Sequence, residues 1–491
     1  MPITASILYN LVQCPQRVAL DAFGDPAASD EANPFVRLLW ERGTIYEREV
    51  IAGLDEHFID LSGLDEGERE AKTLEAMRRG EPLIYGGRIT AGDLLGIPDL
   101  LRKEVGGYVP GDIKSGAGEE GGGEDSDGKP KLRYAVQLAL YVDILERLGI
   151  SAGRRAFVWD IHGEEVAYDF TAAQGPKKPE TLWDEYLAAL SEARAILVRT
   201  LTPQGAYASV CKLCNWHSFC VAQLTAADDL TLIPFLGRSL RDAMQATIPT
   251  IGELAESDPD GFMDGKKTIF KGIGPDRLRL FQARAAMLKA PVPRAYLRAS
   301  VSLTMAPVEL FFDIEVDPLR DICYLHGIVE RHGGDNGSER FVSFFAETVT
   351  PEAERDAFAA AVAYLSSHIG SVIYYYSKYE RTIYRKLQAK YPNVCAADDI
   401  EQLFDPKRAV DLYGDVVLKA TEWPTRDYSI KTLARYLGFN WRDLHPSGAA
   451  SIEWFDRWCK EQNPQVRQQI LDYNEDDCRA TRVLLDGIRS L

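Results

Sequence analysis

The sequence predicts an α/β protein of several domains, and three observations carry that reading. Buried-type strand runs such as VELFFDIEVDP (308–318) alternate with helical repeats such as LRYAVQLALYVDILERLG (132–149). At 491 residues the chain exceeds what one hydrophobic core organises. Three regions differ in pattern: 1–229 mixes helix and strand, 230–300 is mostly helical, and 301–491 is mixed again.

In the first region YVPGDIKSG reads as a strand running into a loop. The stretch GAGEEGGGEDSDGKP (116–130) is acidic, glycine-rich and expected to be mobile. In 132–149, Leu138, Val142 and Leu145 recur at helical spacing. RRAFVWDIHG followed by EEVAYDF predicts a hairpin with His-Gly at its turn. The second region holds the helical TIPTIGELAE and FKGIGPDRLRLFQARAAM. In the third, DICYLHGIVERHGGDNGSERFVSFFAE predicts two strands around a Gly/Asn turn and SVIYYYS another strand; YSIKTLARYLGF (428–439) and the end from about 465 read as helical.

Hydrophobic content of 46% and charged content of 26% are those of a globular protein. No apolar run reaches membrane-spanning length, and MPITASILYNLVQCPQRVAL lacks the basic start of a signal peptide, so a cytoplasmic protein without membrane contact is expected. In that reducing setting clustered cysteines point to metal or redox chemistry before disulfides. The net charge of −18 excludes a broadly basic surface that coats nucleic acid. It leaves room for a nuclease, whose carboxylate clusters divalent cations neutralise.

Asp99 sits at a turn entering the next element. Asp112 and Lys114 are two apart on a strand and therefore share a face. Two carboxylates beside an ammonium suit metal-assisted phosphodiester hydrolysis: the acids hold Mg²⁺ or Mn²⁺, and the lysine steadies the attacking water or the developing charge. Gln137 and Tyr141 follow one helical turn apart. This order resembles the RecB-like branch of the PD-(D/E)xK nucleases, which implies an N-terminal restriction-endonuclease-like domain. By that resemblance Asp99 and Asp112 are metal ligands, Lys114 is catalytic, and Gln137 and Tyr141 orient the lysine or contact DNA. The family also places an acid or His on an early helix, and ERGTIYEREV offers Glu47, with Glu49 as neighbour.

CKLCNWHSFC (211–220) sets Cys211, Cys214 and Cys220 in a C-x2-C-x5-C pattern. The layout is similar to that of iron–sulfur RecB-like nucleases, including the CRISPR adaptation nuclease and the AddB-type subunit, where one cysteine precedes the core and three follow it. The resemblance implies Cys14 as fourth ligand and a 4Fe–4S cluster that staples the two ends of the domain. Zinc on four cysteines is the alternative. His217 reads as a polar filler or DNA contact, and Cys323, Cys395, Cys459 and Cys478 as core residues.

FFDIEVD places Asp313 and Glu315 on one face of a strand, YYYSKYE supplies Glu380, and LDYNEDDCRAT sets Tyr473 and Asp477 at i and i+4. Four carboxylates at a sheet end can hold two divalent metals. The pattern is similar to the DEDD 3′–5′ exonucleases of the RNase H-like fold, in the subgroup with Y-x3-D. The resemblance makes the four acids metal ligands, with Tyr473 orienting the nucleophile. The second motif usually carries Asp, so Glu380 is a departure, and Asp411 is the alternative acid.

FKGIGPDRLRLFQARA resembles a helix-hairpin-helix, with Gly272 and Gly274 in the hairpin and Lys271, Arg277 and Arg279 adding charge for a DNA phosphate. The whole layout resembles predicted RecB-like nucleases fused to an RNase H-like exonuclease. It implies a deoxyribonuclease, expected to process single-stranded DNA or DNA ends in repair, recombination or defence. A helicase or another repair or defence protein is the expected partner. The alternatives are a non-catalytic or singly active subunit of a helicase–nuclease complex, or an exonuclease acting on RNA.

Overall fold

The strand Gly107–Ile113 is buried along its whole length because it lies inside a six-stranded sheet. From one edge the order is Glu165–Asp169, Arg155–Trp159, Gly107–Ile113, Leu100–Glu104, Leu83–Tyr85 and Ile59–Asp60. Arg155–Trp159 runs parallel to Gly107–Ile113, and the helix Leu132–Arg147 makes the crossover between them. Its residues Ala135, Val136 and Leu138–Leu145 are all buried, and each large apolar side chain so buried contributes about 1.5–3 kcal/mol. Gly111 faces Phe157 across the parallel pair, and a Cβ there would fall 2.3 Å from the ring. The aromatic ring thus packs against the strand that carries Asp112.

These elements belong to the first of two compact units, Met1–Ala222 and Gln223–Leu491. The computed structural model describes residues 1–31, 33–120, 128–175, 178–303, 305–443 and 446–491. Residues 121–127 of the acidic glycine-rich stretch therefore lie outside the described residues; its flanks Glu119–Glu120 and Lys129–Pro130 pair antiparallel. His162 and Gly163 do occupy a hairpin turn, where Asp160 accepts from His162 N–H at 2.9 Å and Gly163 has φ 72°.

The second unit holds a five-stranded sheet in the order Asp335–Phe345, Ile322–His332, Val308–Asp317, Val372–Tyr375, Ala409–Asp411. The first three strands are antiparallel and the last two run parallel to Val308–Asp317. Helix Pro351–Ser367 and helices Tyr379–Lys390 and Ala397–Leu403 make the two crossovers. The C-terminal helix Pro464–Arg489 packs on Val308–Asp317 and Ile322–His332. The expected Gly/Asn turn is instead Gly333–Gly334, with φ 58° and 74°. Two glycines tolerate these values at no steric cost. Asn336 has entered the next strand, and its Oδ1 accepts from Arg331 at 2.7 Å.

The stretch 230–300 falls within the second unit. It forms the helices Arg238–Met244, Ile251–Glu256 and Pro275–Lys289 and a small hairpin, Met263–Asp264 with Lys267–Thr268. Among the contacts that tie it to the five-stranded domain, two stand out. Tyr296–Leu297 pairs with Thr421–Glu422. Arg284 makes a two-pronged, fully buried ion pair with Glu422 at 2.7 and 3.2 Å. Among the described residues no helix is long and apolar enough to cross a membrane.

Candidate functional site

At the end of the strand Gly107–Ile113, Asp112 is buried and Lys114, one residue past the strand, reaches back to it at 2.7 Å. Lys114 keeps strand register, since its N–H bonds to Trp159 O at 2.9 Å, so both side chains share a face. Asp99 precedes Leu100–Glu104, and its Oδ2 accepts Ile113 N–H at 2.8 Å. Burial, then the charge of Asp112, pushes the Asp99 carboxyl up to about 8. Burial pulls Lys114 down, but Asp112 and Asp99 outweigh it and hold the ammonium above its usual range. Two acids that repel and one cation that relieves them have the character of a divalent-metal site.

Tyr141 is buried over Gly96, where a Cβ would meet its ring at 2.7 Å, and its hydroxyl donates to Ile97 O at 3.3 Å. Gln137 lies one turn earlier, and among the described residues its buried Oε1 has no hydrogen-bond partner. Glu47, on helix Pro34–Ala52, accepts from Tyr85 OH at 2.8 Å. Its charge and that of Asp99 both bear on Tyr85, whose phenol burial raises first. Glu49 is exposed.

Cys14 sits between helices Ala5–Gln13 and Pro15–Phe23, and Cys211, Cys214 and Cys220 sit at the far end of the unit, yet all four line one cavity with Arg17, Trp216 and His217. Trp216 packs on Gly24, where a Cβ would fall 2.8 Å from its ring, and donates to Asp21 at 2.7 Å. Asp30 N–H bonds to Asn215 O at 2.7 Å, and Ser218 N–H to Asp30 Oδ2 at 2.8 Å. These bonds hold the two chain segments together around the sulfurs. Burial, then Cys14, Cys214 and Cys211, pushes the Cys220 thiol up to about 12. Among the described residues no disulfide joins any of the eight cysteines. Four thiols facing one cavity form a donor set for a thiolate-bound metal or cluster. Cys323 and Cys478 are buried, whereas Cys395 and Cys459 are half-buried.

In the second unit Asp313 and Glu315 project from Val308–Asp317, and Asp477 meets them from the C-terminal helix. Among the described residues this is the one group of three carboxylate, His or Cys ligands whose atoms all lie within 4.8 Å of one another. Burial, then Asp477, pushes Glu315 up to about 8; the same causes, with Glu315 and Glu380 added, raise Asp313 well above the usual carboxyl range. Tyr473, one turn before Asp477, is buried, and burial followed by the acids keeps its phenol protonated.

Glu380 lies in the first turn of Tyr379–Lys390, is buried, and is pushed up to about 8 by burial and then Asp411. Among the described residues its Oε2 has no hydrogen-bond partner. Asp411, the other acid weighed for this place, is engaged with backbone: its Oδ1 accepts Gly414 N–H at 2.9 Å and Ser377 N–H at 3.1 Å. Ser377 has φ 119°, a strained value for a residue with a side chain, costing about 1–3 kcal/mol. Asp411 therefore pins the turn that leads into Glu380.

Three further residues complete this site, and sequence patterning did not single them out. Asn474 Nδ2 donates to Asp313 Oδ2 at 2.7 Å. Trp441 Nε1 donates to Asp477 Oδ1 at 2.7 Å. Lys431 lies 2.8 Å from Tyr473 OH and 3.1 Å from Asp477 Oδ2. Lys431 lies within the predicted helix 428–439, observed as Ile430–Tyr436; the pattern signals the helix but not its docking beside the acids.

In the glycine hairpin, Gly272 has φ 79° and Gly274 is the N-cap of Pro275–Lys289. Lys271, Gly272, Gly274 and Arg277 are exposed. Arg279 is compensated by Asp260 at 2.7 Å and Asp276 at 3.4 Å, so it adds little net charge.

The two folds and their buried acids define a class, the metal-dependent phosphodiester hydrolases. Residues 20–221 match the model of the PD-(D/E)XK nuclease superfamily, and residues 310–488 match that of the RNase_H superfamily. The chain thus carries one domain of each superfamily. These families typically use divalent metals such as Mg²⁺ or Mn²⁺, and nuclease domains imply nucleic-acid binding. No curated protein matches the chain.

Proposed function

We propose that the protein is a deoxyribonuclease with two hydrolytic sites that processes single-stranded DNA or DNA ends. The observation that carries this reading is the triad Asp313, Glu315 and Asp477, whose ligand oxygens lie within 4.8 Å of one another. A protein that only binds nucleic acid gains nothing from packing mutually repelling acids together. When bound, a divalent cation at each site supplies charge neutralisation and activation of water.

In the first site Asp99 and Asp112 hold the cation, with Glu47 behind them. Lys114 is kept charged by both acids, so it neutralises the developing phosphorane rather than taking a proton. Gln137 and Tyr141 orient the lysine or contact DNA. In the second site Asp313, Glu315 and Asp477 hold the cation, with Glu380 as the fourth acid, and Tyr473 positions the attacking oxygen. The similarity to the DEDD exonucleases supports a 3′–5′ exonuclease step for the second site. Gly272 and Gly274, with Lys271 and Arg277, present exposed backbone and charge for a phosphate without reading bases. Cys14, Cys211, Cys214 and Cys220 hold a 4Fe–4S cluster, a structural staple away from hydrolysis.

The test is an assay on end-labelled single- and double-stranded DNA and matching RNA. Lys114→Ala and Asp313→Ala are each expected to remove one of two product patterns, with a loss on the order of a hundredfold or more for the site affected. A double variant that cleaves as well as the parent overturns the reading. Cleavage confined to RNA replaces the DNA assignment.

A further inference from the structure

The acid cluster of the second unit contains a cation of its own. Lys431 Nζ lies 2.8 Å from Tyr473 OH, 3.3 Å from Asp477 Oδ1 and 3.1 Å from Asp477 Oδ2. It also sits 4.9 Å from the centroid of the Tyr473 ring. Trp441 Nε1 holds Asp477 Oδ1 from another direction at 2.7 Å. The ammonium is therefore fixed against the tyrosine and one acid together, with its side chain 25% exposed at the edge of the site.

An ammonium has three donors and no lone pair. In the Lys431–Tyr473 bond the tyrosine oxygen must accept, so the tyrosine's own O–H is left to donate. As the site stands, Asp477 is an acceptor within reach of that hydrogen, because Tyr473 and Asp477 share a helix face at i and i+4. A nucleic-acid oxygen entering the cluster becomes the next one. With its oxygen already accepting from the Lys431 ammonium, the tyrosine is poorly placed to take a proton from an attacking water.

We propose that Lys431 is a positioning residue that fixes Tyr473 as a hydrogen-bond donor to a reacting oxygen, and that it holds part of the charge of Asp477 until a divalent cation arrives. This rests on the nuclease reading of the second site. Two consequences separate the idea from a merely structural role for the lysine. Loss of the ammonium acts on turnover through the same hydroxyl as loss of Tyr473, so the two losses do not multiply. Loss of the ammonium also removes a like charge from beside the cation site, so metal binding strengthens.

The experiment uses the full chain carrying Lys114→Ala, so that turnover reports the second site. Lys431→Met, Lys431→Arg, Tyr473→Phe and the Lys431→Met/Tyr473→Phe pair are compared on end-labelled single-stranded DNA with Mn²⁺. Lys431→Met is expected to lower kcat by about 10- to 100-fold with little change in KM, the scale typical of residues that orient a site's ligands. Lys431→Arg, which keeps the donors, restores most of it. The pair falls no further than Tyr473→Phe alone. Calorimetry with Mn²⁺ alone, without nucleic acid, shows Lys431→Met binding several-fold more tightly than its Lys114→Ala parent, an effect of removing one like charge. Parental kcat in Lys431→Met, multiplying losses in the pair, or weaker Mn²⁺ binding overturns the inference while leaving the nuclease reading in place. A Lys114→Ala chain that neither cleaves nor binds Mn²⁺ overturns both.

Discussion

Gly327 lies directly opposite Asp313 across the antiparallel strands, and the space its missing side chain leaves is filled by Asn474. A Cβ on Gly327 would fall 1.6 Å from Asn474 Oδ1 and 3.0 Å from the Phe341 ring. Asn474 is fully buried and donates to Asp313 at 2.7 Å. The glycine is thus the condition for a hydrogen bond that orients an acid of the cluster. Gly327→Ala should displace Asn474 and destabilise the second unit by about 1–3 kcal/mol, the usual cost of overpacking. Chemical denaturation reads the loss, and Mn²⁺ calorimetry reads the disturbed acid. Adding Asn474→Ala reopens the space, so the double variant should be more stable than Gly327→Ala alone. Equal denaturation midpoints for Gly327→Ala and the parent would show that the fit is looser than these contacts require.

The pair Arg284–Glu422 joins the helical stretch to the five-stranded domain. Arg284 is 4% exposed and Glu422 0% exposed. The guanidinium also donates to Pro234 O at 3.1 Å, and Tyr428 OH donates to Glu422 at 2.7 Å. Removing Arg284 leaves the buried carboxylate of Glu422 with only the more distant, partly exposed Arg298 at 3.6 Å, so Arg284→Met should cost up to about 3–5 kcal/mol. Arg284→Met with Glu422→Gln should recover part of it, because the stranded carboxylate is gone. If protease nicks 230–300 in Arg284→Met no faster than in the parent, the pair is not what anchors that stretch.

Much of the second site was legible in the sequence because two short spacings force side chains together. Residues two apart on a strand share a face, which places Asp313 with Glu315, and residues four apart on a helix do the same for Tyr473 and Asp477. Choosing between Glu380 and Asp411 was beyond such rules. The choice depends on a turn at Ser377, whose positive φ no residue pattern announces, and on Asp411 being consumed by two backbone N–H groups. Asn474 and Lys431 were illegible for a different reason. Asn474 needs Gly327 on a remote strand, and Lys431 needs its helix docked beside the acids; both are long-range packing facts. In the first unit the strand and crossover helix followed from periodicity, but the hydrogen-bond partner of Glu47 is Tyr85, on a strand no short spacing links to it.

His326 gives the second unit a pH dependence. It is fully buried, with Tyr384 OH 3.1 Å from Nδ1, and burial pushes its pKa from 6.5 down to about 3. Between those values the unfolded chain binds a proton that the folded chain refuses. Stability from this group is therefore complete above 6.5 and is lost as pH falls toward 3. From pH 6.5 to 5 the loss approaches about 2 kcal/mol. His326→Gln should be less stable than the parent at pH 7 yet lose less on acidification. Parallel pH profiles of the two proteins would refute the assignment.

The cysteine cavity offers the sharpest division between outcomes. Cys14 is far in sequence from Cys211, Cys214 and Cys220, so a group bound to all four closes a loop of nearly the whole first unit. Burial and the neighbouring thiols raise Cys220 to about 12, so without a cation its thiolate is disfavoured. A bound cation reverses that balance and couples the site to folding. Anaerobically purified protein should be brown, with broad visible absorbance, and should carry about four iron and four sulfide per chain. Trp216 lines the same cavity, so its fluorescence should rise when the cluster is removed. Cys14→Ser should lose the colour, lower the thermal midpoint of the first unit, and speed proteolysis between the N-terminal helices and 211–220. Hydrolysis by the second unit should persist, because the cysteines lie outside it. Colourless protein with one zinc per chain would replace the cluster by a four-cysteine zinc site and keep the staple. Unchanged melting in Cys14→Ser, with or without metal, would remove the staple altogether.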